Sequence, residues 1–422
     1  MCVASTSRRW RFQFNFLALV LTATATSVEA QHWNQFRGPQ ADGRIAASGV
    51  PLKWSEQEHV AWKTKVHGRA WSSPVVWGNT IYLTTATTDG KQLSVLFLDA
   101  DTGKVLRDDV VFEVAEPRYC HPTNTYASPT PVVEEGRLYV HFGAYGTACI
   151  DTANGKKLWE RRDFVCDDFR GPGSSPIVDD NLLFVNFDGI DVQYVVALDK
   201  HDGHTVWKRD REINYGTDNP DRKKAYGTPV LIEHQGRRQL VSPSAAETVA
   251  YAPDSGEVLW RVHHGGMNAA ARPLFRNGML FIAAGDGDRS LIAVRPEGSG
   301  QLGDDQIAWT SAQSVPKRSS QVMLDDMLFM VDDKGIASCL DAATGKPHWR
   351  ERLGEEHWAS PILADGRVYY LSKEGKTTVV AAEKEYRKLA ENRLDGGFVA
   401  SPAAIGSSLL LRTATHLYRI DP

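Results

Sequence analysis

Apolar residues along this chain fall into short runs that come in pairs, each pair split by a polar turn. PVVWGNTIYL (74 to 83) and PILADGRVYY (361 to 370) show the pattern: a proline, an apolar triplet, a turn, and a second apolar run. Pro74, Pro131, Pro176, Pro229, Pro273, Pro361 and Pro402 each open such a pair, and Gln321 fills the same slot in QVMLDDMLFM. The eight openings are spaced by 57, 45, 53, 44, 48, 40 and 41 residues. Runs this short, bounded by turn residues, predict strands rather than helices. A unit of that length has room for about four of them, the size of one propeller blade.

A second hairpin closes each unit and carries its own signature. ACIDTANGKKLW (148 to 159) returns as SCLDAATGKPHW (338 to 349). An Asp opens the turn, a Gly supplies the positive φ that closes it, and a Trp follows four residues later. Asp151, Gly155 and Trp159 set the pattern, which Asp199, Gly203 and Trp207 repeat, as do Asp341, Gly345 and Trp349. Ala252, Gly256 and Trp260 keep the Gly and Trp, while the first unit has Asp99 and Gly103 but Arg107 in place of the indole. In the fifth unit RPEGSGQLGDDQIAW lengthens the turn and ends on Trp309. Indoles at one repeated position imply packing between blades, because a twisted sheet must bury its face against the next. The last unit stops at YRIDP after three runs, whereas HVAWKTKV (59 to 66) is an orphan strand carrying Trp62. Together they complete one sheet. The expected fold is therefore all-β: an eight-bladed β-propeller of four-stranded antiparallel blades, closed by an N-terminal strand that completes the C-terminal blade, with no edge left open.

Residues 1–30 read differently. Arg8, Arg9 and Arg11 precede the apolar run FNFLALVLTATA, and small residues lead to Ala30, the layout of a secretory signal cleaved after that residue. The expected product is an exported, periplasmic or secreted, monomeric single domain of residues 31–422 with no transmembrane segment. The full chain's net charge of −4 argues against a nucleic-acid surface. Four cysteines remain beyond residue 30. Cys149 and Cys339 sit two residues before the turn Asp of their units and are expected as separate core thiols. Cys120 and Cys166 lie in the connections entering units two and three. They are read either as a disulfide, as export permits, or as two free loop thiols.

Candidate chemistry gathers in the connections between blades, which meet at one mouth of such a ring. EPRYCHPTNTY, CDDFRGPG, EINYGTDNPDRKKAYG, HHGGMNAAAR and EEHWA are rich in Arg, His, Asn and aromatic residues. They supply the candidate ligand-binding set of Arg118, His121, Asn124, Asp168, Arg170, Tyr226, Asn268, Arg272, Arg318 and Trp358. Such groups suit a small anionic or sugar-like ligand through bidentate hydrogen bonds and stacking; the alternative is that they satisfy one another. Middle turns add Asp188 and Asp191, Asp286 and Asp288, and Asp332 and Asp333. Oxygen-rich turns can hold calcium, but Asp also bonds its own backbone in turns, so the metal is left unknown. The chain has no GxSxG, HExxH or P-loop sequence, and no catalytic residue is assigned.

The Asp/Gly/Trp repeats resemble the PQQ-type propeller repeats of quinoprotein alcohol dehydrogenases and of the outer-membrane assembly lipoprotein. WNQFRGP, HPTNTYASPTPVV, YVHFG and GTACIDT are more closely similar to secreted PQQ-like repeat proteins of environmental bacteria. The resemblance implies the fold for the whole mature chain and leaves two functions open. One is a non-catalytic ligand-binding or protein-interaction platform without a cofactor, taking a protein, a glycan or a small anionic ligand. The other is a PQQ-dependent dehydrogenase of alcohols or sugars that uses PQQ with calcium. No adjacent cysteine pair is present, and no quinone-binding residue of the family maps onto a matching position here.

Overall fold

The computed structural model describes residues 1–4, 32–287 and 290–422. The expected secretory signal, apart from its first four residues, and Asp288 lie outside the described residues. The unit Gln31–Pro422 carries all of the described strands.

Eight antiparallel sheets follow one another along the chain. Blades 1 to 7 are built in sequence order from residues 75–113, 132–161, 177–210, 230–265, 274–311, 322–352 and 362–393. Blade 8 takes three strands from residues 403–420 and its outermost strand, Val60–Lys65, from the N-terminal side. That strand runs antiparallel to His416–Ile420, with Lys63 opposite Tyr418. The ring is thus closed by hydrogen bonds between chain segments more than 350 residues apart, which removes the open edge expected at a chain end. Blade 4 departs from the four-strand expectation: the lengthened turn of unit five lays Gly300–Gln301 parallel to Val258–Gly265 as a short fifth strand.

The repeated tryptophans join blades, and all but Trp260 act on the following blade rather than their own. Trp159 Nε1 donates to the Lys200 carbonyl at 2.9 Å, Trp207 to Pro253 at 2.7 Å, and Trp309 to Ala342 at 2.9 Å. Trp62 and Trp349 do the same to Ala100 and Glu383. The indole also lies flat over the turn glycine of that next blade. A Cβ on Gly203 would sit 2.7 Å from Trp159, and one on Gly256 2.7 Å from Trp207. These glycines therefore serve twice, with φ of +78° and +69° and no side chain beneath the indole. Where Arg107 replaces the indole, its guanidinium occupies the same place over Gly155. Trp260 differs because blade 5 lacks the usual turn. It donates to Gln239 Oε1 at 2.6 Å, and Gln239 Nε2 reaches the Pro296 carbonyl at 3.1 Å, so a side-chain amide spans the gap.

Toward the axis the blades are tied by hydroxyls. The residue before each opening proline is Ser73, Thr130, Ser175, Thr228, Ser360 or Ser401, and Ser320 stands before Gln321. Five of these backbone N–H groups bond the hydroxyl of the next blade: Ser73 to Thr130 (2.9 Å), Thr130 to Ser175 (2.9 Å), Ser175 to Thr228 (3.0 Å), Ser320 to Ser360 (2.9 Å) and Ser360 to Ser401 (3.0 Å). In blade 5 Arg272 brings no hydroxyl to the series, but its own N–H bonds Ser320 Oγ at 2.9 Å. Thr130→Val keeps the shape but strands the buried Ser73 N–H. The expected cost is about 1–2 kcal/mol, read as a lower urea midpoint with an unchanged slope; an unaltered midpoint would show that the hydroxyl ties carry no stability.

The N-terminal segment crosses the bottom of the channel. Trp33 bridges Val76 of blade 1, and the Asn34 carbonyl accepts from Val133 of blade 2 at 2.9 Å. Arg37 donates to the carbonyls of Gln321 (3.0 Å) and Pro361, and Gly43 and Ile45 pair with Leu363. Arg272, 2% exposed, donates from beneath to the carbonyls of Pro229 (3.0 Å) and Phe36 (2.6 Å). The ring is therefore a cup with one mouth, floored by WNQFRGP.

Candidate functional site in the channel mouth

Above this floor lies a cavity of about 180 Å³ whose wall draws on every quarter of the ring. Phe36 forms its base and the hydroxyl residues Ser73, Thr130, Ser175, Thr228, Ser360 and Ser401 form its lower wall. The rim is charged and aromatic. Asn124, Arg170, Tyr226, Asn268, Arg318 and Trp358 of the sequence-predicted set all line it, joined by Trp71, Asp286 and Lys317.

Each rim group is held by its own loop. The Asn124 amide donates to the carbonyls of Gly171 (2.9 Å) and Pro172 (3.0 Å), which ties the connection entering blade 2 to the one carrying Arg170. Asp333, in the middle turn of blade 6, accepts from the Lys317 backbone at 2.8 Å and from the Arg318 guanidinium. Arg318 lies 4.2 Å from the centre of the Trp358 ring, where the indole face attracts its charge. Lys317 Nζ is 2.5 Å from Asp286 Oδ1. Burial works against the Asp286 charge, but Lys317 outweighs it and holds the carboxyl below its ordinary range. Three cations and one carboxylate therefore line the described cavity, and each cation has a carboxylate partner: Asp286 for Lys317, Asp333 for Arg318 and, at 3.7 Å, Asp221 for Arg170.

Four polar atoms of these lining residues are left over. Trp71 Nε1, Arg170 Nε, the Tyr226 hydroxyl and Asn268 Oδ1 are buried and have no hydrogen-bond partner among the described residues. Unpaired buried groups of this kind cost about 1–3 kcal/mol each, and native folds keep them chiefly where something else completes them.

Other predicted residues are taken out of the mouth. Asp188 is buried against Arg211, with Arg211 Nη2 2.6 Å from Asp188 Oδ2. Arg272 serves the floor. Asp191 ties its turn to the connection entering blade 3, accepting from the N–H groups of Asp167 (2.7 Å) and Val192 (2.9 Å). His121 sits on the exposed loop tip with Thr123 Oγ1 at 2.7 Å. Arg118 Nη1 donates to the Cys166 carbonyl at 2.7 Å, beside Asp168, whose carboxyl burial pushes up to about 6. The two cysteines of this region stand as free thiols: Cys120 Sγ faces the Arg170 carbonyl at 3.4 Å and Cys166 Sγ faces Asp168 Oδ1 at 3.5 Å. Cys149 and Cys339 are separate buried thiols. Asp332 spends its carboxylate on the Lys334 and Ile336 N–H groups, both at 2.9 Å.

The missed rim residues had signals of their own. A Ser or Thr before the repeated proline is visible in the sequence, and Lys317 adjoins Arg318. Trp71 stands two residues before Ser73, outside the Asp/Gly/Trp pattern that marks the other indoles.

Among solved structures, BamB from Moraxella catarrhalis superposes with a TM-score of 0.61 at 10% identity, over 86% of this chain and 99% of that one. A europium-containing methanol dehydrogenase gives 0.65 at 11% identity, over 92% and 90%. At these identities the likeness speaks for the fold alone. The 1-butanol dehydrogenase (quinone) of Thauera butanivorans is 31% identical over 151 residues, which is 30% of this chain and 22% of that enzyme. The family model described as outer membrane protein assembly factor BamB matches residues 46–161, 192–302 and 300–396, and the chain belongs to that family.

Proposed function

We propose that this protein is a non-catalytic, extracytoplasmic binding platform whose cup takes a small anionic, hydroxyl-bearing ligand. The observation that carries this reading is the set of four unpartnered polar atoms, on Trp71, Arg170, Tyr226 and Asn268, around one cavity lined by Arg170, Lys317 and Arg318. Three donors and one acceptor, beside three cations that each keep a carboxylate partner, match an anion that also offers a hydroxyl. The export that the N-terminal residues imply belongs to the same reading.

A quinone-dependent dehydrogenase needs more than the cup supplies. Calcium takes six to eight oxygen ligands, several of them carboxylate. Asp286 is the one carboxylate among the described lining residues, and Lys317 holds it. A carboxyl kept below its ordinary range by an ammonium is also a poor proton acceptor. The described lining residues do not fit PQQ with calcium.

The test is titration of the protein from residue 31 with glucuronate and citrate, and separately with PQQ with and without calcium, followed by tryptophan fluorescence. Glucuronate or citrate should quench Trp71 and Trp358 emission, and Lys317→Ala should weaken that binding about tenfold, or about 1.4 kcal/mol. Calcium-dependent, stoichiometric PQQ binding with dye-linked alcohol oxidation would sink the platform reading.

A further inference from the structure

A second compartment opens off the cup. Trp71, Thr123, Trp358 and Val399 line both the inner cavity and an outer cleft of about 300 Å³. The cleft is walled by Arg69 and Pro122 on one side and by Lys373, Gly396 and Gly397 on the other. It therefore lies between the connections of blades 1, 2, 7 and 8, and the two tryptophans stand at the passage between compartments.

Charge repeats from one compartment to the next. The inner cup has Arg170, Lys317 and Arg318; the outer cleft has Arg69 and Lys373. Lys373 Nζ is held 3.9 Å from the centre of the Trp358 ring, and Arg69 lies 5.4 Å from that of Trp71. Each compartment thus pairs an indole with a cation fixed beside it, and both share the same two indoles. A single small anion uses one such station. A chain molecule whose rings each carry a negative charge and hydroxyl groups uses both.

We infer that the mouth binds an acidic oligosaccharide end-on, its terminal ring in the cup and its next rings passing Trp71 and Trp358 into the outer cleft. The inference rests on the anion-binding reading of the cup and adds the outer subsite and the ligand class. Sugar rings offer an apolar face to indole and hydroxyls to the Ser and Thr wall, while carboxylate or sulfate groups reach the cations. Linking two modest sites through one chain raises affinity without any new contact.

The experiment compares galacturonate, trigalacturonate, a sulfated trisaccharide, neutral maltotriose and triglutamate by calorimetry, on the wild type and on the outer-cleft variant Arg69→Ala/Lys373→Ala. At least one acidic trisaccharide should bind ten-fold or more tighter than galacturonate, and the variant should remove that gain while leaving galacturonate binding unchanged. Whether carboxylate or sulfate wins identifies the source of the charge. Equal binding of monomer and trimers by the wild type would overturn the outer subsite but leave the cup as an anion site. Equal or tighter binding of maltotriose or triglutamate would overturn the acidic-glycan class. Citrate binding without any sugar binding would overturn the inference alone, and a folded protein that binds no anion at all would remove the cup reading with it.

Discussion

On acidification from about pH 6.5 to 4.5 the fold should lose several kcal/mol of stability, because three imidazoles are buried in neutral form. His141 is 2% exposed, stands on the edge of Phe187 and meets Thr147 Oγ1 at 2.8 Å. His264 meets Thr248 Oγ1 at 3.1 Å, and His357 is fully buried with neither ring nitrogen partnered among the described residues. Burial pushes their values down from 6.5, to about 3 for His141 and about 4 for His264 and His357. The unfolded chain takes up these protons near pH 6.5 while the folded chain refuses them until the lower values. Stability is therefore fully present above about pH 6.5 and is lost as pH falls, at about 1.4 kcal/mol per pH unit for each imidazole. Asp168 acts in the opposite sense: burial raises its carboxyl to about 6, so the folded state gains one proton early and offsets part of the slope. Urea midpoints measured across this pH range would test the balance. His357→Leu should flatten the dependence by about one proton; a dependence that is flat in the wild type, or unchanged in that variant, would refute the assignment.

These histidines also show where sequence reading stops. His141 occupies an ordinary strand position in YVHFG, and nothing local says that Phe187 of the next blade will close over it. The blades themselves were legible because their determinants are local and repeated: an opening proline, a turn glycine and an indole at fixed spacing. Closure by residues 59–66 was legible for the same reason, since one orphan strand and one incomplete unit leave a single way to finish the ring. The floor was not legible. WNQFRGP is held by backbone bridges to Val76 and Val133, the residues after it by Leu363, and both by the arginines Arg37 and Arg272, each of which meets carbonyls far away in sequence. The connection that carries Arg272 leads to the mouth, but its side chain turns under the hydroxyl ring. The cup was half legible: connections rich in Arg, Asn and Tyr converge as expected, and the hydroxyl wall and Trp71 keep the register of the opening prolines, Trp71 standing before Pro74 as Trp358 does before Pro361, but no local pattern tells that these positions face one cavity.

Asp188→Ala should cost about 3–5 kcal/mol of folding stability and leave ligand binding by the remaining folded protein unaltered. In FDGIDVQ the residue reads as a turn acid open to a cation. Its partner, Arg211, lies 23 residues later, just past the outer strand of the same blade, and is 0% exposed. Two guanidinium nitrogens meet the two carboxylate oxygens, Ser244 Oγ adds a hydrogen bond at 3.0 Å, and Arg261 Nη1 reaches the Arg211 carbonyl at 2.6 Å. Burial works against the charge of Arg211, but Asp188 outweighs it and pushes the guanidinium up. Removing the carboxylate leaves a buried cation with only carbonyl acceptors from Ser242 (3.4 Å) and Pro243 (3.5 Å), and that uncompensated charge carries the cost. Removing both charges relieves it, so Asp188→Leu/Arg211→Met should be more stable than Asp188→Ala, a comparison that a double-mutant cycle in urea reads directly. If Asp188→Ala costs under about 1 kcal/mol, the pair behaves as a solvated surface bridge and the buried assignment fails. If instead the fold is untouched and anion binding is lost, Asp188 belongs to the mouth after all.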